Sequence, residues 1–511
     1  MPTVKLGSPA GRWVMASVIM ASAMAFIDST ALNVVLPSLQ RDLKATGADL
    51  FWILNAYLLI LAALILVGGS LGDKLGRKKV FMAGIGIFIL GSAACGFAPT
   101  VVYLIVFRII QGMGGALMIP GSLSLLSSSI DEKERGKAIG TWSAITTVVT
   151  IGGPIIGGAL ADAGLWRYIF FINVPIGLAA LGILRQKVKD SRSDDKNTAL
   201  DFPGVITIAL GLAFLTFGFL RIPALGFHNP QVYGSLALGS LLLAAFLLIE
   251  KNSRHPMMPL QVFSDMSFSG ANLLTFFLYA GLGAGMLFLS LNMVQAQGYS
   301  QLESGLTFLP FTVLMITIAR PAGSLADKFG PRLLLIFGPA IAGAGLLVLS
   351  FVKQTAGARD YWTSFFPGVL LLGLGMSLTV APLTTTVMTS VNDQFSGVAS
   401  GINNAMTRIA NVFANAIFGA LAVLFFSGAL QKTLPPDVKN NSAVLVQAAN
   451  LGNAKPPASA SPNDKPRIEY AYRTGFIYAY QQIMRCAAAL AFTGAAMALL
   501  FIRKPPAPPT K

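Results

Sequence analysis

Asp28 is the only acidic side chain set deep in an apolar run of this chain, within MASAMAFIDSTALNVVLP (Met20 to Pro37). A charge at a bilayer centre costs on the order of 3 kcal/mol on insertion scales, so a residue held there is a functional candidate by default. Arg108 occupies a second apolar run, LIVFRIIQGMGGA (Leu104 to Ala116), and Gln111, Gly112 and Gly115 follow it on one helical face. Counted along helices, Asp28 lies ~15 Å and Arg108 ~10 Å below the same membrane edge. An acid and an arginine at matching depth can pair. Burial disfavours the charged carboxylate and a neighbouring guanidinium favours it, so the pair is a poised proton-exchange site. Machinery for bond-making chemistry is missing. There is no G-x-x-x-x-G-K-[ST] phosphate loop, His228 and His255 fall at segment ends, and Cys95 and Cys486 are isolated in apolar runs. An enzyme, a metal site and a bound cofactor are therefore not expected. Energy has to come from an ion gradient.

The elements that would position these residues are read from hydropathy. Of the 511 residues, 54% are hydrophobic and only 11% charged, where a soluble domain carries roughly 25% charge. A water-soluble core cannot close on such a chain, so a polytopic all-α membrane protein is expected. Fourteen segments of about 20 apolar residues fall near 13–38, 51–72, 80–98, 101–126, 138–161, 168–184, 203–220 and 232–249, then near 266–294, 305–319, 333–352, 363–389, 398–428 and 474–502. With the N-terminus inside, 22 Lys and Arg fall on cytoplasmic segments and 12 outside, six of these in the single long loop 428–473. That bias predicts cytoplasmic termini, and it absorbs much of the net charge of +16 without any nucleic-acid partner. The loop is rich in Pro, Asn and Ala without sustained periodicity, and reads as a flexible external connection, with a lid or a docking surface for an outer partner as the alternative.

The chain repeats itself. GSLGDKLGRK at 69–78 and GSLADKFGPR at 323–332 share six of ten positions, each after an apolar segment on the inner face. Transporters are commonly built from such doubled bundles. Gly69 and Gly323 would allow close packing, Asp73 and Asp327 could cap the next helix, and Gly76 and Gly330 would permit the turn. Arg77 and Arg332 could pair with the acids or with lipid phosphates. Within the fifth segment, Gly153 and Gly157 are spaced for tight helix contact, and Pro154 frees backbone. A polar stripe of Asn404, Arg408, Asn411 and Asn415 runs at i, i+4, i+7 and i+11 in the second half.

The doubled motif resembles the G-x-L-a-D-r-x-G-r-k loop of the major facilitator superfamily. IDSTALNVVLP (Ile27 to Pro37), the R-x-x-Q-G run at Arg108, Gly153 to Gly158, WRYIFFINVPIG (Trp166 to Gly177), HPMMPLQVF (His255 to Phe263) and GVASGINNAMTR (Gly397 to Arg408) resemble its fourteen-helix drug:proton antiporters, the EmrB/QacA type. The resemblance implies a major facilitator fold of two pseudo-symmetric six-helix bundles plus two inserted helices. Its expected divisions are an N-terminal bundle at 1–186, a linker with the inserted pair at 187–250, and a C-terminal bundle at 251–511. It also implies a proton-driven exporter of amphipathic small molecules in the inner membrane. Asp28 and Arg108 would then couple protons, the doubled motif would gate the cytoplasmic side, and Gly153, Pro154, Gly157 and Gly158 would form the antiporter motif. Asn33, Tyr57, Gln111, Asn404, Arg408 and Asn411 are candidates for the substrate cavity. Expected partners are a small-molecule substrate, protons, lipid and an optional periplasmic adaptor. The same fold could instead serve an exporter or importer dedicated to one metabolite; a membrane-embedded enzyme or lipid translocase is less favoured.

The doubled acids lie in inner-face turns, far from mid-membrane. Asp73→Asn or Asp327→Asn should therefore slow turnover while leaving substrate affinity nearly intact. Paired transport and binding assays check this, and selective loss of affinity for one substrate class would contradict it.

Overall fold

The computed structural model describes residues 4–188, 201–253, 256, 258–391, 396–435, 437–439 and 441–503. The side chains of Asp73 and Asp327 lie outside the described residues, as does His255. The chain is helical almost throughout: α1 (Pro9–Leu43), α2 (Gly47–Leu75), α3 (Arg77–Gly96), α4 (Val101–Ser129), α5 (Glu132–Asp162), α6 (Tyr168–Phe171), α7 (Asn173–Lys187), α8 (Phe202–Leu225) and α9 (Pro230–Asn252). There follow α10 (Met266–Gln295), α11 (Gln301–Leu306), α12 (Leu309–Phe329), α13 (Arg332–Leu349), α14 (Tyr361–Ser364), α15 (Phe366–Thr389), α16 (Ser396–Thr433), α17 (Ser442–Val446) and α18 (Lys465–Phe501). Thirteen helical stretches among the described residues are long and apolar enough to cross a membrane. The remaining expected segment, 138–161, is the helix α5, which contains side chains outside the described set.

Two compact units emerge, one of residues 1–258 with 300–306 and one of 259–299 with 307–511. The inserted pair α8 and α9 belongs to the first unit. So does the short α11, although it lies in sequence between two helices of the second. Asp162, the last residue of α5, accepts from the backbone N–H groups of Gln301 and Leu302, each at 2.9 Å. This carboxylate satisfies two of the orphan donors at the start of α11. The Gln301 side chain donates to Ser38 Oγ.

Helix ends follow local chemistry. Thr46 and Asp49 form a reciprocal capping box at α2, with Thr46 N–H to Asp49 Oδ2 at 2.8 Å and Asp49 N–H to Thr46 Oγ1 at 3.2 Å. The doubled motif becomes the same device in each unit, a helix ended by a glycine of positive φ with the next helix starting at once. Gly76 has φ 108° between α2 and α3, and Gly330 has φ 82° after α12. A side chain at either position would be strained. Arg332, which opens α13, donates to the Leu499 carbonyl at 2.9 Å.

Two expectations are corrected. Gly69 and Gly323 are not points of enforced contact, because a Cβ on them would meet its nearest neighbours at 3.9 and 3.5 Å, ordinary van der Waals distances. The close approach belongs to Gly68, where a Cβ would collide with the Ala116 carbonyl of α4. Pro120 cannot donate to that carbonyl four residues back, so the glycine Cα–H groups face an acceptor the proline has freed.

The external loop is the second correction. α16 and α18 run beyond the membrane segments read from hydropathy, shortening the connection to 434–464. Much of its described part is folded against the second unit. Val444 and Leu451 are buried, the Tyr472 hydroxyl donates to the Val444 carbonyl at 2.8 Å, and Tyr472 and Phe476 flank Phe426 with ring centroids 6.3 and 6.1 Å away. Low periodicity concealed this because only a few apolar residues anchor the segment. Deleting Lys439 to Pro462 should accordingly lower stability in detergent by about 3 kcal/mol, the burial of two aliphatic side chains. A thermal melt superimposable on that of the full chain would show a tether instead.

Candidate functional site

Four helices of the first unit converge on one guanidinium. α1 supplies Asp28, α2 supplies Tyr57, α3 supplies Cys95, and α4 supplies Arg108 with Gln111. Arg108 Nη1 donates to Asp28 Oδ2 at 2.5 Å and to Gln111 Oε1 at 2.9 Å. Gln111 Nε2 donates to the other carboxylate oxygen, Asp28 Oδ1, at 2.8 Å. Arg108 Nε points to the Ile53 carbonyl at 3.4 Å, and its Cζ stands 4.4 Å from the Tyr57 ring centroid. The Cys95 thiol lies 3.7 Å from Gln111 Oε1. Asp28 and Gln111 are 0% exposed, Arg108 and Tyr57 1%. Acid, amide and guanidinium thus close a dry ring of hydrogen bonds in which the ion pair has no water to compete with it.

The sequence builds this closeness with glycine. A Cβ on Gly112 would stand 2.9 Å from the Tyr57 carbonyl, one on Gly115 3.1 Å from the Tyr57 hydroxyl, and one on Gly91 of α3 2.6 Å from the Gln111 nitrogen. Side chains there would push α2 and α3 away from the arginine. Tyr57 and Gln111, expected to line a substrate cavity, are buried beside Arg108. Asn33, one turn beyond Asp28, is only partly buried.

The antiporter-type glycines of α5 pack on α1 just beyond the acid. A Cβ on Gly153 would overlap Thr30 Oγ1, one on Gly157 would lie 2.9 Å from the Ala31 carbonyl, and one on Gly158 would strike the Gln301 carbonyl of α11. Pro154 cannot donate to the Thr150 carbonyl four residues back, and Thr30 Oγ1, which donates to the Phe26 carbonyl of its own helix at 2.7 Å, stands 3.1 Å from it. The α1–α5 contact therefore sets a hydroxyl beside a carbonyl that a proline has freed, two residues from Asp28.

In the second unit Asn404 is exposed, Arg408 partly buried and Asn415 buried. The Asn411 amide oxygen occupies the space that a Gly283 side chain would fill on α10. Among the described residues no carboxylate pairs with Arg408, and its Nε lacks a hydrogen-bond partner. Sequence reading missed Asn403, which donates to Asn272 Oδ1 at 3.2 Å and Thr275 Oγ1 at 2.7 Å on α10. Asn272 and Thr275 stand at i and i+3 in an apolar run, a signal that could have found them. It also missed two buried acids at helix ends. Asp201 caps α8 through the Gly204 N–H at 2.9 Å, and Glu250 accepts from the Met258 N–H at 2.9 Å. Among the described residues, no three His, Cys, Asp or Glu side chains are placed to hold a metal ion.

The model of the Major Facilitator Superfamily matches residues 18–415. The chain is 32% identical to a tetracenomycin C resistance and export protein of Streptomyces glaucescens, over 94% of this chain and 89% of that one. It is 31% identical to the multidrug resistance protein Stp of Mycobacterium tuberculosis, over 84% and 80%. It is 30% identical to a methylenomycin A resistance protein of Bacillus subtilis, over 83% and 90%. Its fold is that of a bacterial homologue of the human lysosomal transporter Spinster, with a TM-score of 0.64 at 17% identity over 98% of each chain. The Escherichia coli xylose transporter XylE shares the fold with a TM-score of 0.57 at 13% identity over 97% of each chain.

Removing one partner of a buried ion pair is worse than removing both. Arg108→Ala should therefore destabilise the protein by about 3–5 kcal/mol, and the double variant Asp28→Leu, Arg108→Leu by clearly less. Unfolding of the two variants in detergent measures the difference, and equal losses would show that packing alone dominates.

Proposed function

This multi-pass membrane chain belongs to the Major Facilitator Superfamily, and from that premise we propose that it exports amphipathic small molecules in exchange for protons across the cytoplasmic membrane. Relatives named for drug resistance and export support the direction of transport. The charge bias of the loops supports cytoplasmic termini. The observation that carries the coupling is the closed, water-free contact of Asp28, Arg108 and Gln111. A carboxylate there has two self-consistent states. Ionised, it is matched by the guanidinium; protonated, it is neutral and its hold on α4 slackens. The change is confined to one acid, so one proton converts α1 and α4 from a tightly tied pair to a loosely tied one. The glycine turns at Gly76 and Gly330, with their motif residues Asp73, Arg77, Asp327 and Arg332, act as hinges of the conformational cycle. Asn404, Arg408 and Asn411 contact substrate from the second unit. An arginine there, with no carboxylate on it, favours neutral or anionic amphiphiles over dications.

Asp28→Asn should abolish uphill efflux, because an amide cannot exchange the proton, while movement down a substrate gradient persists. Asp28→Glu keeps a titrating group one methylene away and should retain partial activity. The measurement is uphill transport in inverted vesicles alongside substrate-induced proton release from purified protein. An Asp28→Asn protein that still pumps uphill near the unaltered rate places the carrier elsewhere.

A further inference from the structure

Arg108 stays charged in every state of the cycle, because a guanidinium does not deprotonate in proteins. It is 1% exposed, so no water can solvate it when its carboxylate is neutralised. The anion paired with it is Asp28 of α1. Once Asp28 takes up a proton, the other partners of the guanidinium among the described residues are neutral. These are Gln111 Oε1 at 2.9 Å, the Ile53 carbonyl at 3.4 Å and the Tyr57 ring at 4.4 Å.

We infer that Tyr57 is a positioning residue for proton exchange, its ring face holding the Arg108 charge while Asp28 is protonated. This rests on Asp28 being the proton carrier. The ring presents its negative face to the cation, an attraction that grows when both are removed from water. It is fixed in that attitude from several sides. Phe88 meets it edge-on with centroids 6.5 Å apart and planes at 77°. Gly112 and Gly115 of α4 admit its backbone and hydroxyl where any side chain would intrude. The glycines of the R-x-x-Q-G run thus seat the ring against the arginine of the same run. With the carboxylate ionised, the guanidinium is already neutralised and the ring adds little. With the carboxylate protonated, the ring face joins Gln111 Oε1 and the Ile53 carbonyl in holding a cation that has lost its anion. Its contribution therefore differs between the two states, and removing it penalises the protonated one.

The test needs no transported ligand. Infrared difference spectra of the full-length protein in liposomes, recorded against pH, report the protonated-carboxyl band, assigned to Asp28 by its absence in Asp28→Asn. Tyr57→Phe keeps the ring face and should titrate as the unaltered protein does. Tyr57→Leu should bind the proton roughly 3- to 30-fold less tightly, moving the midpoint to lower pH, as expected for loss of a desolvated cation–π contact. Trifluorophenylalanine introduced at position 57 keeps the ring's shape while draining its face. It should move the midpoint the same way, which keeps the test decisive if the leucine variant fails to fold. Midpoints unchanged in both variants would overturn the role of Tyr57 and leave Asp28 as carrier. A titrating band that persists in Asp28→Asn would instead overturn the carrier, and this inference with it.

Discussion

A single buried ion pair sets the demands that the first unit has to meet. Two opposite charges taken out of water lose solvation that their attraction repays only with short distances and every remaining donor and acceptor engaged. Asp28 and Arg108 meet that condition, with both carboxylate oxygens occupied, one by Arg108 and the other by Gln111. Three helices must then approach α4 closely enough to exclude water. The positions that permit this are glycines, Gly112 and Gly115 facing Tyr57 and Gly91 facing Gln111. These three glycines are the geometric counterpart of the charge pair.

The prolines follow a second rule of the same environment. Backbone carbonyls freed inside a membrane need partners, since no water can reach them. Pro154 frees the Thr150 carbonyl, and Thr30 Oγ1 approaches it to 3.1 Å while donating at 2.7 Å to Phe26 in its own helix; Pro120 frees Ala116 and Gly68 brings its Cα–H groups. Each approach ties a helix to a neighbour at a specified height. The approach at Thr30 lies two residues from Asp28, so the α1–α5 seam and the buried ion pair share one short stretch of α1.

Much of this was legible in the sequence because the membrane enforces a strong signal. Apolar runs of about 20 residues revealed the spanning helices, and a lone acid in such a run revealed Asp28 without any structure. Arg108 could be matched to it because depth along a helix is a simple product of residue count and rise. What stayed hidden depended on packing at single positions. No periodicity distinguishes Gly68, which must be glycine, from Gly69, which need not be, because both lie in one apolar run. Tyr57 looks like any aromatic until its ring is seen 4.4 Å from a guanidinium. The segment 442–453 was missed because a handful of residues, Val444 and Leu451 foremost, anchor an otherwise polar stretch. Hydropathy averages dilute such anchors to nothing.

Two of the mid-helix arginines, Arg108 and Arg408, show how one residue type meets two different surroundings. Arg108 is enclosed, and it is held by an acid, an amide, a carbonyl and a ring within its own unit. Arg408 is only partly buried, twelve residues or ~18 Å from the start of α16. No carboxylate among the described residues compensates it. A cation matched by fixed partners stores a two-state equilibrium, since changing its partner's charge changes what holds it. A cation without an anionic partner at mid-depth is a site whose energy improves when something electron-rich arrives. The two arrangements sit on separate arginines, so a contact formed at Arg408 leaves the Asp28–Arg108 pair undisturbed, because that pair is enclosed by its own unit.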